Sequence, residues 1–587
     1  MSADGNIAMQ AGLATPTTNT VPLRRADFAT LAEALDYAAC GVTGANFYAG
    51  GKLETALPYR TLRKQAVALA RRLATLGLAR GTRLAIVAET TPDFLRFFFA
   101  CQYIGLVPVA LPSSVNLGGH DAYVHKLHGM LQACEASIAV ASPAFAGFLA
   151  DAVKGLDIAM SGEPAAFDAL PQALMELQPT GADEVAYLQF TSGSTGTPKA
   201  AVITERALLA NAAGSINDGL MLRDSDRFAS WLPFYHDMGL VGCLLTVVAC
   251  QRSIDYLDTR EFAMRPRRWL ELMSESKATI AYSPPFGYDM CARRVRPSDI
   301  ASYDLSNWRA AGIGAEPILP DVPARFAELL APAGFDARAF VPSYGMAEAS
   351  LAVSFAPLDK GIVVEWLDPV DLAENLVATT VAEGTGTGFV RCGGPMPGHD
   401  LKICNELGAT LAERHVGRIL VRGPSLMSGY FQQPAITAQA LGADGWLDTG
   451  DIGYVVDGEV VVTGRHKDMI IVNGRNIWPQ DIERIVERQP EMRTQDASAF
   501  GVPGPGGAEV AAVVVQCNTT DTAARAALVQ RVRREILEEL GIACLIELVP
   551  RHTLPRTSSG KLSRSATRRG YLERQEALEQ APRAASA

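Results

Sequence analysis

The chain has 587 residues, 48% apolar and 20% charged, with 53 Lys and Arg against 63 Asp and Glu for a net charge of −10. That length exceeds one ordinary core, and the composition is that of a soluble globular protein, neither disordered nor fibrous. The acidic balance argues against general nucleic-acid binding, which needs a basic footprint.

In chain order, residues 1–25 have no basic stretch leading into an apolar core and read as a flexible leader, not a signal peptide. Residues 60–150 alternate helical and strand patterns: "YRTLRKQAVALARRLATLGLARG" (helix), "RLAIVAE" (strand), "PDFLRFFFACQYIG" (helix), "LVPVALP" (strand). Such alternation predicts parallel-sheet α/β layers. His120, His125 and His128 lie close together without acidic or Cys partners, and read as a solvated helix face better than as a metal site. The alternation resumes over 185–350. There "MGLVGCLLTVVAC" (238–250) is the longest apolar run, well short of the roughly 20 residues of a membrane span, and reads as a buried helix. From 387 to 463 short strands with Gly-rich turns predict a small β subdomain. After Gly464 a compact α+β piece predicts a second, smaller domain joined by a hinge, so the domains are read as 26–464 and 465–587. Ten cysteines without a CxxC pair fit a reducing cytoplasm.

Several stretches carry chemistry. "YLQFTSGSTGTPKAAVIT" (187–204) reads as a phosphate loop between a strand and a helix. Backbone N–H groups freed by Gly193 and Gly196 can converge on an anion, with hydroxyls and Lys199 as further donors. Its spacing is not that of a Walker A loop, and Pro198 precedes the lysine. "WLPFYHDMGL" sets His236 beside aromatics. "AGIGAEP" (311–317) and "SYGMAEAS" (343–350) end strands with Gly and a carboxylate, at the sheet edge where ligands bind. "WLDTGDIGYVVDGEVVVTGRHKDMIIVNGRN" (446–476) offers Asp451 and Arg465 around the hinge, and "LPRTSSGKLSR" presents Lys561.

In this order and spacing, over about residues 30–575, these motifs resemble the adenylate-forming superfamily, and within it the chain is most similar to the fatty acyl-AMP ligases. The resemblance implies ATP-dependent activation of a carboxylic acid to an acyl-adenylate with loss of pyrophosphate, a reaction run by positioning and charge neutralisation. By resemblance Thr191, Ser192, Gly193, Ser194, Thr195, Gly196 and Lys199 cradle the phosphates, and Glu348 holds Mg²⁺. Gly314, Ala315, Glu316, Tyr344 and Gly345 frame the adenine, Asp451 takes the ribose hydroxyls with Arg465 assisting, and Lys467 marks the hinge. Lys561 brings an ammonium to the substrate carboxylate and α-phosphate, His236 lines the acyl site, and Tyr282, Pro285, Phe286, Gly312 and Met346 form the acyl pocket.

The motifs are shared with acyl-CoA synthetases and do not choose the acceptor. Two features point to the phosphopantetheine thiol of an acyl carrier protein acting in trans. One is an insertion of about forty residues, including 356–391, of the kind that fatty acyl-AMP ligases pack against the C-terminal domain; the other is Ile471, where CoA-using relatives carry a lysine. The basic cluster Arg551–Arg574 offers a surface for an acidic carrier, with a solvated face as the alternative. Ala200 departs from the Gly usual after the loop lysine, a change tolerated if φ there is negative. The rival readings are an acyl-CoA synthetase and an inactive interaction protein.

Overall fold

The computed structural model describes residues 14–113, 119–191, 198–472, 475–504, 509–556 and 561–580. It is an α/β protein with a large N-terminal part of two mixed sheets and a smaller α+β C-terminal part. A six-stranded sheet runs, in spatial order, through strands Met160–Gly162, Ala136–Val140, Arg83–Val87, Val107–Leu111, Val185–Thr191 and Lys199–Thr204. All its pairs are parallel except the last. Val107–Leu111 is buried at every position, as expected of a parallel strand covered on both faces. A nine-stranded sheet holds the parallel neighbours Ile280–Ser283, Ala310–Gly314 and Phe340–Gly345 near its middle.

The phosphate-loop segment differs from the strand–loop–helix expectation. It joins two antiparallel strands, Val185–Thr191 and Lys199–Thr204, whose register pairs Thr191 with Lys199. The apolar "AAVI" after the lysine gives a second strand, and the helix Glu205–Gly214 starts only at its far end, capped by the Thr204 side chain accepting from Ala207 N–H. Among the described residues it is a strand, not a helix N-terminus, that follows the loop.

The leader reading holds poorly for residues 14–25. Thr15 is 4% exposed. Its N–H donates to Asn46 Oδ1 (2.9 Å), its hydroxyl donates to Ser253 Oγ (3.0 Å), and its carbonyl accepts from Arg227 (2.8 Å). Beneath it Arg227 and Asp255 form a buried ion pair at 2.6 Å, and Asn46 donates to Asp255 at 2.8 Å. This polar knot ties the segment to the sheet; residues 1–13 lie outside those described.

A four-stranded antiparallel sheet (Asp400–Cys404, Gly417–Arg422, Leu447–Val456, Glu459–Arg465) leads to the short turn His466–Asp468. Beyond it a separate apolar core, starting at Ile470, gathers the strands Ala497–Pro503, Glu509–Gln516 and Cys544–Val549 under helices Pro479–Glu487 and Thr522–Leu540. Within the predicted insertion, strands Val364–Leu367 and Thr387–Val390 pair with each other, and helix Pro369–Asn375 lies between them in sequence. Leu372 and Ala373 of that helix share a core cluster with Trp478 of the C-terminal part. Among the described residues no helix is long and apolar enough to cross a membrane. All ten cysteines are unpaired, and only Cys40 is exposed.

Candidate active site

Three parallel strands set the floor. Their register, Tyr282 opposite Gly312 and Gly314 opposite Ser343, aligns their carboxyl ends, where residues 315–316 and 346–348 emerge together. Glycine is required at 314, because a Cβ there would lie 2.4 Å from the Ser343 carbonyl. Ala315 takes φ +68°, a left-handed backbone that is strained for a residue with a Cβ. That turn aims its carbonyl at Lys561, whose Nζ donates to it.

Two cavities meet at Lys561. The larger, of about 710 Å³, is lined by Thr191, Lys199, His236, Tyr344, Glu348 and Lys561 among others. The smaller, of about 360 Å³, lies against the C-terminal part and includes Phe286, Glu316, Asp451, Trp478 and Gln495. Of the expected phosphate cradle, Thr191 and Lys199 face the larger cavity; Ser192, Gly193, Ser194, Thr195 and Gly196 lie outside the described residues. Lys199 Nζ sits 5.4 Å from the Tyr430 ring centroid, and the Tyr430 hydroxyl donates to Glu348 Oε1 (2.8 Å). Burial raises the Glu348 carboxyl above its ordinary value, with the Tyr430 hydrogen bond opposing the shift. A buried carboxylate lining the same cavity as Lys199 is a donor of the kind a hard divalent cation such as Mg²⁺ takes. Ala200 lies in a strand and is not among the positive-φ residues, so its methyl meets no backbone strain.

In the smaller cavity Asp451 is 6% exposed. It accepts from the Tyr344 hydroxyl (2.7 Å) and from Arg465 Nε (3.1 Å), which faces it across the antiparallel pair. Burial raises the Asp451 carboxyl, and Arg465 pulls it back. Glu316 accepts from the Phe286 N–H (2.9 Å), and burial raises its carboxyl too. Lys561 is shifted downward by burial, opposed by Glu316 and Asp237. His236 Nδ1 is 2.7 Å from Asp237 Oδ1, which also caps the following helix by accepting from Met238 N–H (2.7 Å). Burial alone would raise the Asp237 carboxyl, but His236 and Lys561 lower it on balance. Lys467, in the turn after Arg465, borders both cavities, its ammonium shifted downward by burial and by Arg465.

The expected acyl-pocket residues divide. Tyr282 and Met346 line the larger cavity, whereas Pro285 and Phe286 line the smaller one. Gly312 lies under the Tyr282 ring, where a Cβ would come within 2.0 Å of it. The apolar arm of the larger cavity is built instead from Met238, Gly242, Thr246, Leu220, Leu351 and Phe355. Sequence reasoning missed this wall, because the run 238–250 is apolar all round and no periodicity singles out 238, 242 and 246. Residues Met238–Leu245 wind in wider i→i+5 turns, a distortion common at functional sites.

The predicted basic cluster is largely committed within the C-terminal part. Arg551 pairs with Asp496 (3.1 Å), Arg564 with Asp468 and Glu483 (2.8 Å each), and Arg574 with Glu547 (2.7 Å). These ion pairs leave little of it as a free positive surface. Segment 356–391 touches the C-terminal part: Asn476 donates to the Ala373 carbonyl (3.1 Å), and Arg475 pairs with Glu374 at 3.3 Å.

The family profile described as "AMP-binding enzyme" matches residues 43–431. The chain belongs to the AMP-binding enzymes of the adenylate-forming superfamily. A solved structure from work on fatty acyl-adenylate ligases of E. coli and L. pneumophila superimposes with a TM-score of 0.90 at 45% identity, covering 95% of this chain and all of that one. A Caulobacter vibrioides protein provisionally named as an acyl-CoA synthetase is 46% identical over 95% of this chain and 98% of its own. The medium-chain-fatty-acid–[acyl-carrier-protein] ligase JamA of Moorena producens is 30% identical over 94% of this AMP-binding enzyme and 96% of its own length.

Proposed function

We propose that this AMP-binding enzyme activates a fatty acid with ATP to the acyl-adenylate and then passes the acyl group to the phosphopantetheine thiol of an acyl carrier protein in trans. The observation that carries the first step is Lys561. It comes from the C-terminal part yet reaches the Ala315 carbonyl at the junction of both cavities. There its ammonium offsets the two negative groups that must meet, the substrate carboxylate and the α-phosphate. A carboxylate oxygen bonds to the α-phosphorus while the bond to the β-phosphate oxygen breaks, and pyrophosphate leaves with the electron pair. Thr191 and Lys199 hold the leaving pyrophosphate, Asp451 and Arg465 hold the ribose, and Tyr344 walls the adenine. Glu348 would hold Mg²⁺, which neutralises phosphate charge when bound. His236, oriented by Asp237, borders the reacting carboxylate.

The carrier-protein acceptor rests on the insertion contact, because helix Pro369–Asn375 tethers the C-terminal part through Asn476 and Arg475. The names of JamA and of a second relative, the TtuA medium-chain ligase of Teredinibacter turnerae at 33% identity over 67% of this chain, support it. The name of the Caulobacter relative favours CoA. Mass spectrometry of products from a panel of fatty acids with ATP and Mg²⁺, offered CoA and holo carrier protein side by side, separates the two. Acylated carrier with little acyl-CoA supports the proposal, and rapid CoA thioester formation overturns the acceptor. Free thiols throughout fit a cytoplasmic setting.

A further inference from the structure

Where the two parts meet, the rim beside the smaller cavity carries unpaired positive charge. Helix Pro285–Arg294 starts in the wall of that cavity, at Phe286, and ends in Arg293 and Arg294. At about 1.5 Å per residue, Arg294 lies about 12 Å along it from Phe286. The turn before helix Arg267–Ser276 packs on that end. Cys291 Sγ donates to the Pro266 carbonyl (3.5 Å), and Arg294 Nη1 donates to the Met264 carbonyl (3.1 Å). These contacts gather Arg265, Arg294 and Arg296, all exposed, around Met264, which is 67% exposed. The rim continues onto the C-terminal part. Arg293 donates to Thr494 (2.7 Å), a residue of the smaller cavity, and the neighbouring Arg493 is exposed. The local carboxylates are already held: Asp289 pairs with Arg293 (2.7 Å) and Arg325, Asp299 with Arg267 (3.4 Å), and Glu271 with Arg268 (2.6 Å). Among the described residues no carboxylate pairs with Arg265, Arg294, Arg296 or Arg493. Four unpaired cations in one place run against the net charge of −10 of the chain. They are arginines around a methionine, the residue types enriched at protein interfaces, where lysine is depleted. Their guanidinium forks match carboxylates.

We propose that this arginine rim docks an acidic holo acyl carrier protein, with Met264 as the apolar contact and the thiol arm directed at the smaller cavity. This rests on the carrier-acceptor reading above and assigns the surface that recognises the carrier, in place of the ion-paired cluster Arg551–Arg574. Charges at such a rim act mainly by steering the encounter, so their effect is read in KM and in salt dependence.

The test is acyl transfer by the full-length enzyme to an acidic holo acyl carrier protein, set against transfer to free phosphopantetheine, the same thiol without a protein body. The wild type is compared with Arg265→Glu/Arg296→Glu and Arg265→Ala/Arg296→Ala, each checked by thermal melting. Arg265→Lys/Arg296→Lys keeps both charges, and Arg294 is left alone because its bond to Met264 holds the turn. The double reversal is expected to raise KM for the carrier about tenfold or more, the alanine pair less, and the lysine pair little. It should also flatten the salt dependence of that KM, and a carrier with Lys in place of its acidic residues should regain activity on the reversed enzyme. Transfer to free phosphopantetheine should not change. An unchanged carrier KM in the reversal overturns the inference while leaving the carrier-acceptor reading intact, as does an equal loss with free phosphopantetheine. Binding to phosphatidylglycerol vesicles that is lost on reversal, with the carrier KM unchanged, reassigns the rim to an anionic membrane and overturns it too. If the wild type forms CoA thioester and no acylated carrier, the acceptor reading itself fails, and the inference with it.

Discussion

Lys561 carries its charge at a cost in the free enzyme, and in the proposed reaction that charge meets the substrate carboxylate and α-phosphate. Burial lowers its pKa, while Glu316 and Asp237 partly hold it up. Lys561→Ala is therefore expected to slow acyl-adenylate formation by about 10²–10³-fold, the scale of losing one preorganised charge stabiliser, with nucleotide affinity nearly unchanged. Stopped-flow pyrophosphate release checks this. Because the proposed role needs the ammonium form and its pKa is lowered, adenylation should fall on the alkaline side below the ordinary lysine range, and Lys561→Arg should push that limb upward. Glu205 gives a stability prediction. It is fully buried, accepts from Leu31 N–H (2.9 Å), and burial pushes its carboxyl up to about 8. Between its unfolded value of 4.5 and about 8 the folded chain binds a proton that the unfolded chain does not, so stability falls as pH rises through that window. The slope is roughly 1.4 kcal/mol per pH unit for one proton. Melting curves of Glu205→Gln should lose this slope and lie above the wild type at pH 8.

At the scale of elements, the clamp between the insertion and the C-terminal part can be loosened without touching the site. Glu374 is 50% exposed, so its ion pair with Arg475 is screened and weak. With the Asn476 hydrogen bond lost as well, Glu374→Ala/Asn476→Ala is expected to cost the docked arrangement about 1 kcal/mol. CoA thioester, measured by mass spectrometry, should rise roughly five-fold while pyrophosphate release is unchanged. The elements themselves were largely legible in the sequence. Continuous apolar runs such as "VPVAL" announce covered parallel strands, and the piece after Gly464 is the mix of strands and helices expected of it. The phosphate loop's setting was misread because its second strand is short. "KAAVIT" has too few residues to declare a period, and only its pairing with Val185–Thr191 decides the matter. The acyl wall was hidden for a different reason. A run apolar on every face carries no amphipathic signal, so nothing local marks which side of residues 238–250 faces a cavity.

For the whole molecule, the proposed adenylation depends on a long-range meeting that no local pattern encodes: Lys561 reaches Ala315 across 246 positions. The motifs located the participants, but their joint burial and shared cavities are tertiary facts. Arg293 donates to Thr494 (2.7 Å), bridging the large and C-terminal parts in this arrangement. Joining Arg293→Cys and Thr494→Cys with a short cleavable dithiol-specific linker should preserve pyrophosphate release and block delivery to the carrier. Transfer should return on cleavage, and thioester formation at an unchanged rate in the linked enzyme would show that Lys561 need not leave. The N-terminal tie has a consequence of another kind. Thr15 hydrogen-bonds Ser253, a partner 238 positions later. At synthesis rates of roughly 5–20 residues per second, that partner is made some 12–50 s after Thr15 itself. Thr15 thus stays without its Ser253 partner through an interval of translation, and the tie over Arg227 and Asp255 closes only once that part of the sheet has been made.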